Sequence, residues 1–271
     1  MIFASDLDQT LIYSINFLNK HYADPEATIE KKLSIIEYYQ GEPLSYIHND
    51  VIDNLKTLDQ QGLFVPVTTR TEEQYKRIDF SKLGIKPKYA ITTNGAKVLK
   101  HGKVDTNWQN YIHAQLNKVT PKTDEISKLI TSTFPQEVIK KIRIAEDTFT
   151  YCVLFRDRLQ DQQLKEINAC FNKEEWNLSL QGTKLYFMPA ILSKATAMNY
   201  ICEQLKIDHY IAAGDSLLDL PLLTQAKDGY VPQHGELFDQ ELHHKHQLKL
   251  SEYKGIDASL GIVNNVLQSL Q

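Results

Sequence analysis

Short apolar runs alternate along the chain with longer stretches in which apolar residues recur at helical spacing. Ile2 to Ala4, Leu63-Phe-Val-Pro-Val67, Tyr89-Ala-Ile-Thr92 and Tyr210-Ile-Ala-Ala213 each read as a buried strand, and Gly229-Tyr-Val231 as a short fifth. Pro66 removes one ladder hydrogen bond from the second of these. Between them, Asn49 to Gln61 carries Val51, Ile52, Leu55 and Leu58 on one helical face, with Gly62 as its stop. Ala195 to Leu205 carries Met198, Ile201, Cys202 and Leu205 in the same way. Strands alternating with amphipathic helices predict an α/β fold whose parallel sheet is covered on both faces.

Two segments depart from this rhythm. Ser34 to Ile47 reads as two strands around a turn at Gln40 to Pro43, a hairpin flap. A longer segment runs from about Val104 to about Tyr186. It holds a helical pattern (Ile126, Leu129, Ile130), a strand-like run from Thr148 to Phe155, a helix near Gln160 to Phe171 and a strand near Trp176 to Leu180. It predicts a separate α+β unit inserted into the first domain.

Composition narrows the class. With 42% hydrophobic and 24% charged residues the chain is globular in type rather than low-complexity. Asp plus Glu number 34 against 30 Lys plus Arg, a net charge of −4, so neither nucleic acid nor an anionic membrane is expected as a partner. Cys152, Cys170 and Cys202 are odd in number and show no CxxC spacing, which predicts neither a disulfide framework nor a zinc knuckle. No apolar run approaches the roughly 20 residues of a membrane span. Met1 to Ser5 lacks the basic start and apolar length of a signal peptide, and a cytoplasmic location is expected.

The residues that carry chemistry cluster behind the strands. Asp6-Leu-Asp8-Gln-Thr10 follows the first strand directly, where α/β sheets bind ligands. Two carboxylates there call for a cation, although a loop or helix cap explains an isolated DxD equally well. Gly214-Asp215-Ser-Leu-Leu-Asp219 follows the strand ending at Ala213, and a helix beginning there sets both aspartates on one face. Four carboxylates around one crevice fit Mg²⁺, a hard cation that takes oxygen ligands. Thr68-Thr-Arg-Thr71 follows another strand, where a hydroxyl and backbone N–H groups hold a phosphate oxygen; Ser- and Thr-rich turns are also common without any ligand. Lys194 opens a helix, a place where a lone lysine is ordinarily solvated. His243-His-Lys-His246 reads as an exposed helix or loop rather than a metal site.

Taken in order, DxDxT, the strand-terminal Thr68, Lys194 and GDxxxD resemble the haloacid dehalogenase-like (HAD) hydrolase superfamily. Asn94-Gly95-Ala96 and the long interval between Thr68 and Lys194 resemble its type IIB branch, which includes Cof-like sugar phosphatases, sucrose-phosphate phosphatases and phosphomannomutases. That interval is several times the roughly 30 residues of a whole βαβ unit. The resemblance implies a Rossmann-like core with a parallel sheet at residues 1–100 and 187–271, and an inserted α+β cap domain at 101–186. It implies Asp6 as the nucleophile of an aspartyl-phosphate and Asp8 as the acid that protonates the leaving oxygen and then activates water. It implies Mg²⁺ held by Asp6, by the Asp8 main-chain carbonyl and by Asp215, with Asp219 supporting the metal shell or orienting Lys194. Thr68, Thr69, Arg70, Asn94 and Lys194 are the implied substrate-binding residues.

The physical logic agrees with these roles. Asp6 is ionised at neutral pH, and Mg²⁺ with Lys194 offsets the repulsion of a phosphate dianion. Crowding by the other carboxylates is expected to raise the pKa of Asp8 toward that of an acid catalyst. Gln9 stands where the branch often has Gly, Thr69 where Thr-Gly-Arg is usual, and Leu218 where Asn often precedes the last Asp. The reading is a Mg²⁺-dependent phosphatase of a small soluble phosphate ester such as a sugar phosphate. A phosphomutase of the same fold and a non-turnover phosphate-accepting or binding protein remain as alternatives.

Overall fold

The computed structural model describes residues 1–270 and divides into two compact units: Met1–Asp105 with the chain from Lys194 onward, and Thr106–Ser193. In the first, five parallel strands lie in the order Lys249–Leu250, Asp228–Val231, Ile211–Ala213, Ile2–Ser5, Leu63–Pro66. Phe3 pairs with Ile211 on one side and Phe64 on the other. All four residues of the Ile2–Ser5 strand are buried, as a parallel strand covered on both faces requires. The chain leaves this strand toward Leu63–Pro66 and returns on its other side at Ile211–Ala213. Their carboxyl ends therefore flank a topological switch point, where α/β sheets open a crevice.

Helix Asn49–Gln61 buries Val51, Ile52, Leu55 and Leu58, and the structure ends it at Gly62 as the sequence predicts. These residues share one apolar cluster with Phe3, Phe64, Ile262 and Val266, the last two from helix Asp257–Gln268. Helices Lys194–Leu205 and Leu220–Gln225 pack on each other beside the sheet. Strand Tyr89–Thr92 joins the sheet through a parallel bridge between Val67 and Ile91 and begins an antiparallel meander with Lys97–Lys100 and Lys103–Val104.

The flap is a three-stranded antiparallel sheet in the order Ile12–Ser14, Glu42–His48, Leu33–Tyr39. Gln40 and Gly41 form its two-residue loop with φ of 54° and 89°, the left-handed pair that matches hairpin twist. Helices Ile15–His21 and Pro25–Lys32 went unread in the sequence. The second buries no residue and is set by its ends, with Asp24 accepting from Ala27 N and Pro25 in the first turn.

The second unit is a four-stranded antiparallel sheet, Trp176–Gln181, Lys184–Pro189, Phe149–Leu154, Ile139–Ala145, with helices Thr123–Thr133 and Asp161–Ala169 against one face. Its core joins Ile126, Ile130, Phe134, Leu154, Ile167, Trp176 and Phe187. The strands at Ile139–Ala145 and Lys184–Pro189 and the helix Thr106–Leu116 were not anticipated.

Candidate active site

Asp6 leaves the end of the first strand with its amide still bonded to Ala213 O at 2.9 Å, which fixes where its side chain starts. The loop after it is tight. Leu7 O accepts from the amides of Thr10, Leu11 and Ile12, and Gln9 takes a left-handed φ of 62°. A glycine adopts that conformation without strain, which explains why Gly is common there. Here Gln9 is held by its amide bond to Ile12 O (2.8 Å) and by His234 Nε2 donating to its carbonyl at 2.7 Å.

Lys194 is the first residue of its helix and is 1% exposed. Its Nζ donates to Asp6 Oδ1 and to Asp219 Oδ1, each at 2.5 Å. Burial alone pulls an ammonium pKa down; Asp219 and Asp6 more than offset this and leave it above its ordinary value. Asp219 is fully engaged: Oδ1 meets Lys194, while Oδ2 accepts from Ser216 N (3.0 Å) and Ser216 Oγ (2.7 Å). This corrects the expected geometry. Residues 215–219 form a turn, and the helix begins at Leu220 with Asp219 as its cap. Gly214 is required by this turn, since a Cβ on it would sit 2.5 Å from Asp219 Cβ.

Asp215 is 5% exposed, and its carboxylate accepts no hydrogen bond from any described residue. Burial, with Asp6 and Asp219 adding like charge, pushes its pKa well above the carboxylate range. Burial likewise raises Asp6 to about 7 against the pull of Lys194. Carboxylate oxygens of Asp6, Asp215 and Asp219 lie within 4.8 Å of one another. Three buried carboxylates face one ammonium, and the two-charge deficit matches one divalent cation bound by hard oxygen ligands. Asp215, lacking any other partner, is the strongest candidate ligand.

Asp8 departs from expectation. Its carboxylate lies outside that group and is half exposed. It is gripped by Arg70, with Nε donating to Oδ2 at 2.8 Å and Nη2 to Oδ1 at 2.7 Å. The side chain therefore meets a guanidinium rather than only the crowd of like charges expected from the sequence.

Thr68 is fully buried behind the strand Leu63–Pro66. Its Oγ1 accepts from Arg70 N at 3.1 Å, which leaves its own O–H to donate. Thr68 O accepts from Asn94 N (3.0 Å) and Arg70 O from Thr93 N (2.7 Å), so the two loops are locked together. Asn94 is buried, and Thr93 and Asn94 both take left-handed φ near 50°. For the β-branched Thr93 this is real strain, of a kind that concentrates at functional sites. Thr69 is half-buried, and its side chain makes no hydrogen bond with any described residue.

Sequence reasoning missed Ser216, His234 and Glu37. The signal for Glu37 was available: a single acid between Ile36 and Tyr38, flanked on both sides by large apolar and aromatic residues. Glu37 is completely buried and accepts from Arg70, Arg77 and Ser45. The His243–His246 run lies at the short helix Leu242–Lys245 with His244 and Lys245 exposed, as expected, and departs from expectation only at His243. His243 is buried, stacked on Phe238 and tilted against His244, and no metal-ligating group forms there among the described residues.

The sequence model of the family described as "Sucrose-6F-phosphate phosphohydrolase" matches residues 48–265. A search of curated proteins returns no match. Among solved structures, the sucrose-phosphatase of Synechocystis sp. PCC6803, in complex with sucrose and phosphate, superposes with a TM-score of 0.64 at 14% identity over 98% of this chain and 97% of that one. The HAD subclass IIB sugar phosphatase BT4131 gives 0.65 at 12% identity, over 100% and 99%. A HAD/COF-like hydrolase from Plasmodium vivax gives 0.67 at 12% identity, over 100% and 96%. These likenesses show the fold: an α/β unit with a parallel sheet and a second α+β unit, as in those structures.

Proposed function

The chain belongs to the sucrose-6F-phosphate phosphohydrolase family and is a phosphoric monoester hydrolase; from that premise we propose that it releases phosphate from a small sugar phosphate, with Mg²⁺ as cofactor and an aspartyl-phosphate formed on Asp6. The observation that carries the reading is the contact of buried Asp6 with Lys194 beside the unpartnered carboxylate of Asp215.

Asp6 attacks phosphorus, a new P–O bond forms to its carboxylate, and the bond from phosphorus to the sugar oxygen breaks. Asp8 delivers a proton to that departing oxygen. Water then attacks the phosphoryl group, Asp8 takes up its proton, and inorganic phosphate leaves with the Asp6 carboxylate restored. Lys194 binds the phosphoryl oxygens as it binds Asp6, and Thr68 donates its free hydroxyl proton to them. Asp219 holds Lys194 in place. Asp6, Asp215 and the Asp8 carbonyl would hold Mg²⁺, whose charge, when bound, offsets the repulsion between carboxylate and phosphate. The grip of Arg70 on Asp8 must loosen for the proton transfer.

The test is phosphate release from 4-nitrophenyl phosphate and from a panel of sugar phosphates that includes sucrose 6-phosphate. Activity is expected with Mg²⁺, to vanish in EDTA, and to fall by at least ~10³-fold in Asp6→Asn. Release that persists in EDTA, or an Asp6→Asn variant within about tenfold of the parent, overturns the reading. Movement of phosphate between two positions of one sugar identifies a mutase instead.

A further inference from the structure

Glu37 lies on the flap strand Leu33–Tyr39, far along the chain from every residue assigned a role above. The pairing of that strand with Glu42–His48 shifts register on both sides of Glu37, before it at Ile35 and after it at Tyr38. Such irregularities re-aim a side chain. Ile36 joins the apolar core while Glu37, its neighbour, is also completely buried. The Glu37 carboxylate receives Arg70 Nη1 at 2.7 Å, Arg77 Nε at 3.0 Å and Ser45 Oγ at 2.7 Å. Arg70 is thus shared. One edge of its guanidinium grips Asp8 and the remaining amino group is tied to Glu37, with Ser45 Oγ accepting from Nη2 at 3.3 Å. Asp8, Arg70, Glu37 and Arg77 form a chain of alternating charge that sums to zero.

Resting on the phosphatase reading, we propose that Glu37 is a positioning residue for protonation of the leaving group: it anchors and neutralises Arg70 so that Asp8 is aimed by the guanidinium yet released from it when the sugar oxygen departs. A buried guanidinium deprived of Glu37 has Asp8 as its main remaining counter-charge and holds it more tightly. The anchor acts only through Asp8. Its effect therefore depends on how much the leaving oxygen needs a proton. A nitrophenolate departs without one; an alkoxide of a sugar does not.

The experiment compares kcat/KM for 4-nitrophenyl phosphate with that for a sugar or simple alkyl phosphate, in Mg²⁺, for the parent enzyme, Glu37→Gln, Arg77→Gln and the double variant Asp8→Asn/Glu37→Gln. Glu37→Gln is expected to widen the preference for the nitrophenyl ester by about tenfold or more, a fraction of what general acid catalysis supplies. Arg77→Gln removes flap anchoring but not the Glu37–Arg70 contact; it is expected to lower the melting temperature and leave the preference within about twofold of the parent. In the Asp8→Asn background, Glu37→Gln is expected to change the preference no further. If Glu37→Gln does not fold, Glu37→Asp, which withdraws the charge from Arg70 by one methylene, must still widen the preference. An equal loss on both esters, or full additivity with Asp8→Asn, overturns the proposal while leaving the phosphatase reading intact. A parent enzyme that hydrolyses neither ester overturns both.

Discussion

At the scale of single residues, most of the catalytic candidates were readable because they sit just after a strand, where side chains of a parallel sheet meet in space, whereas Lys194 opens a helix. Asp6, Thr68 and Asp215 follow strands whose apolar runs are plain in the sequence. The sequence expected Asp219 beside Lys194, but not that Asp8 is held by Arg70. Lys194 serves Asp6 and Asp219, whereas Asp8 belongs to Arg70, and only the fold decides between those partners. Close approach was equally hidden. Gly235 has φ 84°, and a Cβ on it would lie 2.7 Å from Asp215 Oδ2 and 2.8 Å from Asp215 Cβ. Gly235→Ala is expected to displace Asp215 and to destabilise the protein by about 1–3 kcal/mol through strain at a left-handed position. Titration of activity with Mg²⁺ checks this. The half-saturating Mg²⁺ concentration rises at least about tenfold if Asp215 is a ligand, and an unchanged value removes Asp215 from that role.

At the scale of elements, strong periodicity was a faithful guide and weak periodicity a poor one. Helix Asn49–Gln61 was legible to its ends because its apolar face is continuous and Gly62 stops it. The polar helix Pro25–Lys32 offered no such face. The aspartate pair at 215 and 219 misled, since a four-residue spacing suits a helix and also a turn closed by Ser216 on Asp219. Leu55 lies on the legible helix, fully buried among Phe3, Phe64 and Ile262 in the shared cluster. Leu55→Ala is expected to cost about 2–5 kcal/mol in denaturant unfolding, because the core collapses only partly around the lost side chain. Its kcat/KM ratio between nitrophenyl and alkyl esters is expected to stay at the parent value, since the helix carries fold stability and no contact to Asp8.

At the scale of the whole molecule, burial of the acidic cluster ties stability to pH and to the cation. Asp6 has a folded-state pKa of about 7 without metal, against 3.8 for the free side chain, and Asp215 is raised in the same sense. Between those values the unfolded chain has released protons that the folded chain keeps. The unfolded state then binds fewer protons, so stability falls as pH rises, by up to about 1.4 kcal/mol per pH unit for each such group. For Asp6 the contribution is whole below about pH 4 and lost once pH passes about 7. Groups such as Asp79, held low by hydrogen bonds from Ser81 and Lys82, act in the opposite sense, so a bare melting curve mixes the two. The difference between melting temperatures in Mg²⁺ and in EDTA reports on the cluster, the one group of three carboxylates among the described residues that could hold a cation. That difference is expected to be small near pH 5 and to grow through pH 7. Asp215→Asn removes one of the three carboxylates and is expected to flatten the rise. A Mg²⁺ effect that is the same at every pH would mean that the ion binds elsewhere and that the buried aspartates are balanced by Lys194 and protons alone.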